Sequence, residues 1–118
     1  MADDILAKIF AERGYIEDFH RVMANKDPEF LELYLKLWDN VFKHGHLDEK
    51  TASLVRYGVI CALSIPAGLD HGIDLAKKAG ATEEEILDVI KIASLFSGNA
   101  TLIPAFNMAK KKFDLGGQ

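Results

Sequence analysis

The sequence predicts an all-α protein, a bundle of about six to seven helices. Hydrophobic residues recur with helical spacing, and no segment alternates apolar and polar residues as a half-buried strand does. Helix start and stop signals, capping residues before the segments and glycines after them, divide the whole chain. Its 118 residues suit one folding unit, so we predict a single domain over residues 1–118.

The individual helices are placed by their start and stop signals. Asp27 can cap a helix whose first position is Pro28, where the missing N–H costs nothing. Thr82 and Glu85 have the Thr-x-x-Glu spacing of a capping box. The seven helices are expected over about 4–13, 15–25, 28–44, 48–65, 69–79, 83–98 and 100–113.

Two of these helices, the fourth and the sixth, are apolar on nearly all sides. The stretch 54–63 carries only Arg56 as a charged residue, and the sixth helix leaves a narrow polar stripe of Asp88, Lys91 and Ser94. A helix that is apolar all round must be buried against something, and a short chain has little interior. We therefore predict a homo-oligomer; the alternative is that both are central helices of a monomeric bundle.

Composition and charge exclude several classes of protein. The net charge is −4 and no basic stripe is present, so a nucleic-acid partner is not expected. No apolar run is long enough for a membrane span, and the acidic, amphipathic start of the chain resembles neither a signal nor a transit peptide. With one cysteine, an internal disulfide cannot form, so we expect a cytoplasmic protein.

His71 is the leading candidate for a catalytic residue. It is expected to open the fifth helix, where the helix dipole disfavours the imidazolium. Neutral imidazole is the form that a general base needs. The alternative is a histidine that only makes a hydrogen bond at the start of a helix, because one histidine without a visible partner is weak support for catalysis.

Cys61 and Arg56 are the other candidates. Cys61 lies in an apolar run, where a buried thiol has a raised pKa and is inert, so we expect a core residue and keep a reactive thiol as the alternative. Arg56 must reach water, a carboxylate or an anionic ligand. It is a candidate anchor for a substrate anion, and a structural ion pair is the other reading.

No cofactor or metal site is predicted. His44 and His46 have the spacing of a metal-ligand pair, but they mark the end of a helix and no third ligand is spaced nearby. The sequence holds no nucleophile elbow, no phosphate-binding glycine loop and no His-Glu-x-x-His motif.

Taken together and in order, the residues over about 30–112 resemble the carboxymuconolactone decarboxylase family, which includes the alkylhydroperoxidase D-like (AhpD-like) proteins. The resemblance rests on a frame of spaced residues: Leu47, Lys50, Thr51, Leu54, His71, Ala76, Gly80, Thr82, Glu85 and Ile86. It implies an all-α fold and an oligomer, commonly a trimer or a hexamer.

The chemistry of the family is only partly matched. Its peroxidase branch uses Cys-x-x-Cys-x-x-x-His, and Ser64 and Ala67 stand at the two cysteine positions of this chain. The glutamate that precedes this motif would fall near Ala52 or Ser53. A dithiol cycle is therefore not expected. The decarboxylase branch needs no cysteine, and His71 matches its histidine.

Three functions follow from this comparison. The first is lyase chemistry by an enzyme in which His71 is the general acid or base acting on a small organic acid or lactone. The second is peroxide reduction by the single thiol of Cys61. The third is a binding or assembly module without catalysis.

Overall fold

A computed structural model describes residues 2–113, and these residues form seven helices. The helices are α1 (Ala2–Arg13), α2 (Asp18–Lys26), α3 (Pro28–Lys43), α4 (Glu49–Leu63), α5 (Pro66–Lys78), α6 (Glu83–Ser97) and α7 (Asn99–Lys112). No strand occurs in this part of the chain, so the all-α prediction is confirmed. Its helices all fall short of the length and apolar character that crossing a bilayer requires.

The chain packs as two compact units, Met1–His46 and Leu47–Gln118. The first holds α1 to α3, and the second holds α4 to α7. Each unit has its own buried cluster of apolar side chains. The single domain over 1–118 stays a prediction.

In the first unit, α2 begins later than the sequence predicts because His20 fixes its start. The backbone N–H of Glu17 donates to His20 Nδ1 at 3.0 Å, so the imidazole satisfies a donor at the helix end. The ring of His20 is buried, 3.4 Å from Arg13 Nη1. Burial first, and the guanidinium of Arg13 second, lower the pKa of His20 to about 4.

This lowered pKa predicts that the first unit loses stability in mild acid. The imidazole of His20 is protonated near pH 6.5 in the unfolded chain and only near pH 4 in the folded chain. Its contribution to the free energy of unfolding is therefore full above pH 6.5 and is lost as the pH falls towards 4. Between about pH 7.5 and pH 5 we expect a loss of about 1–2 kcal/mol. Urea unfolding followed by the fluorescence of Trp38, the single tryptophan, measures it.

The variant His20→Gln is the test of this assignment, with His46→Gln at an exposed position as its control. The first should flatten the pH dependence of the unfolding midpoint, and the second should leave it unchanged. An equal pH dependence in wild type and His20→Gln would show that His20 is not the responsible group.

In the second unit, α4 packs against α5 and α6, and α6 packs against α7. Four large side chains are fully buried at the centre: Tyr57, Ile73, Ile86 and Ile90. Glycines on α5 allow the close approach to α4. A Cβ added to Gly72 would lie 2.6 Å from Tyr57 Cδ1, and one added to Gly68 would lie 2.7 Å from Ile60 Cγ2.

Capping residues fix the starts of α4 and α6. Asp48 accepts from the N–H of Thr51 at 2.7 Å, and Thr82 accepts from the N–H of Glu85 at 3.1 Å. The Glu85 carboxylate accepts in return from the N–H of Thr82 at 2.9 Å, which confirms the predicted capping box. Glu85 also pairs with Lys50 at 2.8 Å, so one side chain ties together the starts of both helices.

Helix α5 starts at Pro66, three positions before the predicted start at Leu69. Ser64 adopts the left-handed conformation, with φ of 52°, and ends α4. Pro66 then takes the first position of α5, where proline is favoured. His71 therefore lies beyond the first turn, out of the reach of the helix dipole, and the dipole argument for a neutral imidazole does not hold.

Ser94 corrects the predicted polar stripe of α6. It lies with Ile86 and Ile90 on the buried face of the helix, and its hydroxyl has no hydrogen-bond partner among the described residues. The opposite face exposes Ile92 and Phe96, the latter to 85%. The spacing of four residues places Ser94 in line with the two isoleucines, and this periodicity outweighs its polarity.

Candidate active site around His71

The second unit brings four charged or titratable side chains together beside α5. Asp70, His71 and Asp74 lie at relative angles of about 0°, 100° and 40° on this helix, at about 100° per residue. One ligand atom from each of the three lies within 4.8 Å of the others. Lys112 reaches the same place from the last turn of α7.

Lys112 holds the two carboxylates in place. Its Nζ donates to Asp74 Oδ2 at 2.8 Å and also contacts the carboxylate of Asp70. The hydrogen bonds to Asp70 and Asp74 raise the pKa of Lys112, and the hydrogen bond from Lys112 lowers the pKa of Asp70. Both partners of the Asp70–Lys112 pair are therefore charged near neutral pH.

This arrangement suits acid/base chemistry at the imidazole. A carboxylate beside an imidazole can orient the ring and fix the position of its proton. His71 is half-buried, so part of the residue is exposed to solvent. The structure thus gives His71 two polar neighbours, Asp70 and Asp74.

The positions of the missing thiols lie at the junction of α4 and α5. The Ser64 hydroxyl donates to the carbonyl oxygen of Ala100 at 3.2 Å, so it is part of the helix packing. Ala67 carries no reactive group. Neither position can supply the sulfur of a dithiol centre.

Cys61 is buried in the core of the second unit, on the helix that precedes Ser64. Burial raises the pKa of its thiol to about 11, and a hydrogen bond with Tyr57 opposes the shift only in part. Tyr57 itself is fully buried and donates its hydroxyl to the carbonyl oxygen of Leu69 at 3.2 Å. The thiol is neither ionised near neutral pH nor accessible.

We therefore expect Cys61 to be unreactive in the native protein. Ellman's reagent and hydrogen peroxide should leave the thiol unmodified under native conditions and should modify it in denaturant. The matched control is Asn107→Cys in a Cys61→Ala background, because position 107 is exposed on α7 and does not line the apolar groove between α4 and α6. Its thiol should react at least about tenfold faster. Equal rates under native conditions for Cys61 in the wild type and for the thiol introduced by the control variant would show that Cys61 is accessible.

Arg56 lies on α4, the helix that packs against α5. The charges that act on Asp70 come from Lys112, His71 and Lys111, and Arg56 is not among them. It lies half-buried on α4. Its role as an anion anchor stays a prediction.

His44 and His46, for which the sequence predicts no metal binding, are exposed residues at the end of α3. Within the described residues, Asp70, His71 and Asp74 are the one group whose atoms lie close enough to share an ion, and it does not include that pair.

Asp74 and Lys112 are the site residues that the sequence alone does not identify. Asp70 and Asp74 are four residues apart on one helix, so their spacing in the sequence indicates that they share a face of it. Lys112 belongs to a run of three lysines that fits the C-terminus of a helix equally well.

A separate apolar groove of about 520 Å³ lies between α4 and α6. Eleven residues line it: Thr51, Leu54, Val55, Gly58, Val59, Ala62, Val89, Ile92, Ala93, Phe96 and Ser97. None of them is charged. The apolar character that the sequence shows on α4 and α6 is thus exposed at this surface.

Comparisons with known proteins agree with the fold and with the family resemblance. A family model for the carboxymuconolactone decarboxylase family matches residues 28–111. Two uncharacterized proteins of Methanocaldococcus jannaschii are similar to the chain. One is 34% identical over 92 residues, which cover 77% of this chain and 85% of the relative. The other is 33% identical over 84 residues, which cover 71% and 78%.

Two crystal structures share the fold. One is a proposed carboxymuconolactone decarboxylase from Burkholderia xenovorans LB400, with a TM-score of 0.78 and 18% identity over 95% of this chain and 93% of that one. The other is the apo form of a carboxymuconolactone decarboxylase family protein from Legionella pneumophila. Its TM-score is 0.69, with 21% identity over 93% of this chain and 95% of that one.

Proposed function

Because the chain belongs to the carboxymuconolactone decarboxylase family, we propose that it is a lyase-type enzyme that uses no thiol. Its general acid or base is His71, and its substrate is a small lactone or organic acid. The observation that supports this proposal is the polar cluster beside α5, where the carboxylates of Asp70 and Asp74 lie near the imidazole and pair with Lys112. The cysteine positions of the peroxidase branch hold Ser64 and Ala67.

In this proposal each polar residue has a distinct part. When carbon dioxide leaves a substrate carboxylate, its bonding electrons stay on carbon, and His71 supplies the proton that this carbon takes up. Asp70 and Asp74 orient the imidazole. Lys112 balances their charge, so that an anionic substrate does not meet two bare carboxylates.

The experiment is a substrate panel with two readouts. Carboxymuconolactone and related small lactone acids are incubated with the protein, and carbon dioxide release and incorporation of deuterium from D₂O into the product are measured. The proposal predicts both with at least one member, and both should be lost in His71→Gln. Turnover that persists in His71→Gln would contradict it.

No observation favours peroxide reduction through Cys61, since the thiol is buried and its pKa is raised to about 11. The carboxylates of Asp70 and Asp74 near His71 fit acid/base chemistry at the imidazole. The acid/base function is therefore the one that the geometry supports best.

We also propose that the groove between α4 and α6 is buried against a second copy of the chain. Val59 on α4 and Phe96 on α6 are exposed to 53% and 85%, and the groove has no charge that would attract an unlike partner. A homo-oligomer, expected to be a trimer or a hexamer, removes this surface from water.

The oligomer is tested by light scattering coupled to size exclusion. Wild type should elute as a trimer or a hexamer, and Val59→Asp with Phe96→Asp should shift it to the monomer, because two buried charges cost several kcal/mol. Asn107→Asp on the exposed face of α7 is the control and should leave the mass unchanged. A monomeric wild type would overturn the proposal.

A further inference from the structure

Helix α3 carries an apolar stripe that the fold leaves exposed. Its four members, here called the α3 stripe, are Phe30, Leu33, Leu37 and Val41, and each is more than half exposed. At about 100° per residue they fall within an arc of about 80° on the helix. An apolar stripe with this spacing is typical of a helix face that packs against other protein. The α3 stripe therefore has the pattern of a buried face without the burial.

The groove between α4 and α6 is a concave surface of matching length and character. It has a volume of about 520 Å³, and the residues that line it carry no charge. Along α4 its lining runs from Thr51 to Ala62, eleven positions, the same number that separates Phe30 from Val41. At 1.5 Å per residue both surfaces are about 16 Å long.

The groove needs a convex partner. Two such grooves placed face to face would enclose a void, because both surfaces are concave, whereas the centre of a protein interface is packed as densely as a protein interior. Among the described residues outside the helices that form the groove, α3 alone presents four large exposed apolar side chains along one face. The helices α1, α2, α5 and α7 expose at most two each.

We propose that the α3 stripe of one copy of the chain fills the groove between α4 and α6 of a second copy. This is the helix-in-groove mode of recognition, in which anchors three and four residues apart enter an apolar groove. Four groove residues are also more than half exposed: Val55, Val59, Ile92 and Phe96. Together with the α3 stripe they offer on the order of 1,000 Å² of apolar surface, about the minimum for a specific interface.

This contact joins two unlike surfaces and is therefore heterologous. Each copy that gives its stripe to one neighbour still has a groove for another, so the contact either closes into a ring or continues as a filament. A ring covers both surfaces in every copy. The inference rests on the proposed homo-oligomer and adds the occupant of the groove and the type of symmetry.

The test mixes two variants that each lack one surface. The stripe variant is Leu33→Glu with Leu37→Glu, because glutamate is a good helix former, and the groove variant is Val59→Asp with Phe96→Asp. In light scattering coupled to size exclusion, each variant alone should have the mass of one chain. An equimolar mixture should have the mass of two chains. The intact stripe of the groove variant then binds the intact groove of the stripe variant, and no surface is left for a third copy.

The control is Glu32→Lys, which makes a charge change of the same size at an exposed position on another side of α3 and should keep the wild-type mass. Circular dichroism checks folding, and Leu33→Lys with Leu37→Lys replaces the stripe variant if that unfolds. A stripe variant that remains oligomeric, or a mixture that stays monomeric, would overturn the inference and leave the proposed homo-oligomer standing. A monomeric wild type would overturn both.

Discussion

Replacing His71 by glutamine is expected to lower turnover about 10²- to 10⁴-fold, the range that a single general acid or base contributes. Glutamine keeps much of the size and the hydrogen-bonding capacity of the imidazole but cannot transfer a proton at neutral pH. The half-buried ring lies beside Asp70 and Asp74, so the loss should appear in kcat more than in KM. Steady-state rates of carbon dioxide release on the best substrate of the panel measure it.

The control for this variant is a histidine of the same chain with no such surroundings. His46 is exposed and lies in the first unit, so His46→Gln should leave kcat unchanged. If His71→Gln and His46→Gln both keep rates within about twofold of wild type, His71 is not part of the mechanism.

Gly72→Ala is expected to destabilise the second unit by about 1–2 kcal/mol. An added Cβ would lie 2.6 Å from Tyr57 Cδ1 and 3.0 Å from its Cε1, and both belong to a ring that is fully buried. The ring cannot move without losing contacts, and overpacking of this kind costs about 1–3 kcal/mol. The better helix propensity of alanine returns up to about 1 kcal/mol. Thermal unfolding followed by circular dichroism measures the net effect.

Gly58→Ala is the matched control, because it makes the same change in the middle of α4. There an added Cβ would meet Val89 Cγ1 at 3.5 Å, an ordinary contact. We expect a gain of about 0.5–1 kcal/mol from helix propensity. A loss of stability in Gly72→Ala and a gain in Gly58→Ala would support close packing of α5 on α4. A stabilising Gly72→Ala would contradict it.

The helices were predictable where their signals are local. Thr82 and Glu85 form the capping box within one turn, and Asp27 accepts from the N–H of Phe30 at 3.1 Å, as its place before Pro28 predicts. The start of α5 was not predictable in this way. Pro66 both ends an extended link and fits the first position of a helix, and only the packing of the second unit decides between the two.

The candidate site was also predictable only where its residues lie close together in the sequence. His71 was identifiable from the residue frame, and Asp70 and Asp74 share its helix. Lys112 is 38 positions from Asp74, and nothing local distinguishes it from Lys110 or Lys111. That contact depends on how α7 packs against α5, which periodicity does not fix. The same holds for Ser94, whose burial follows from the face that α6 turns to the core.

Two variants in the same assay decide whether the chemistry resides in His71 and not in the thiol, as proposed. His71→Gln and Cys61→Ala are compared with wild type for carbon dioxide release from the best lactone substrate. Cys61→Ala should keep its rate within about twofold, while His71→Gln should lose at least about a hundredfold. Activity that persists in His71→Gln and disappears in Cys61→Ala would contradict the proposal.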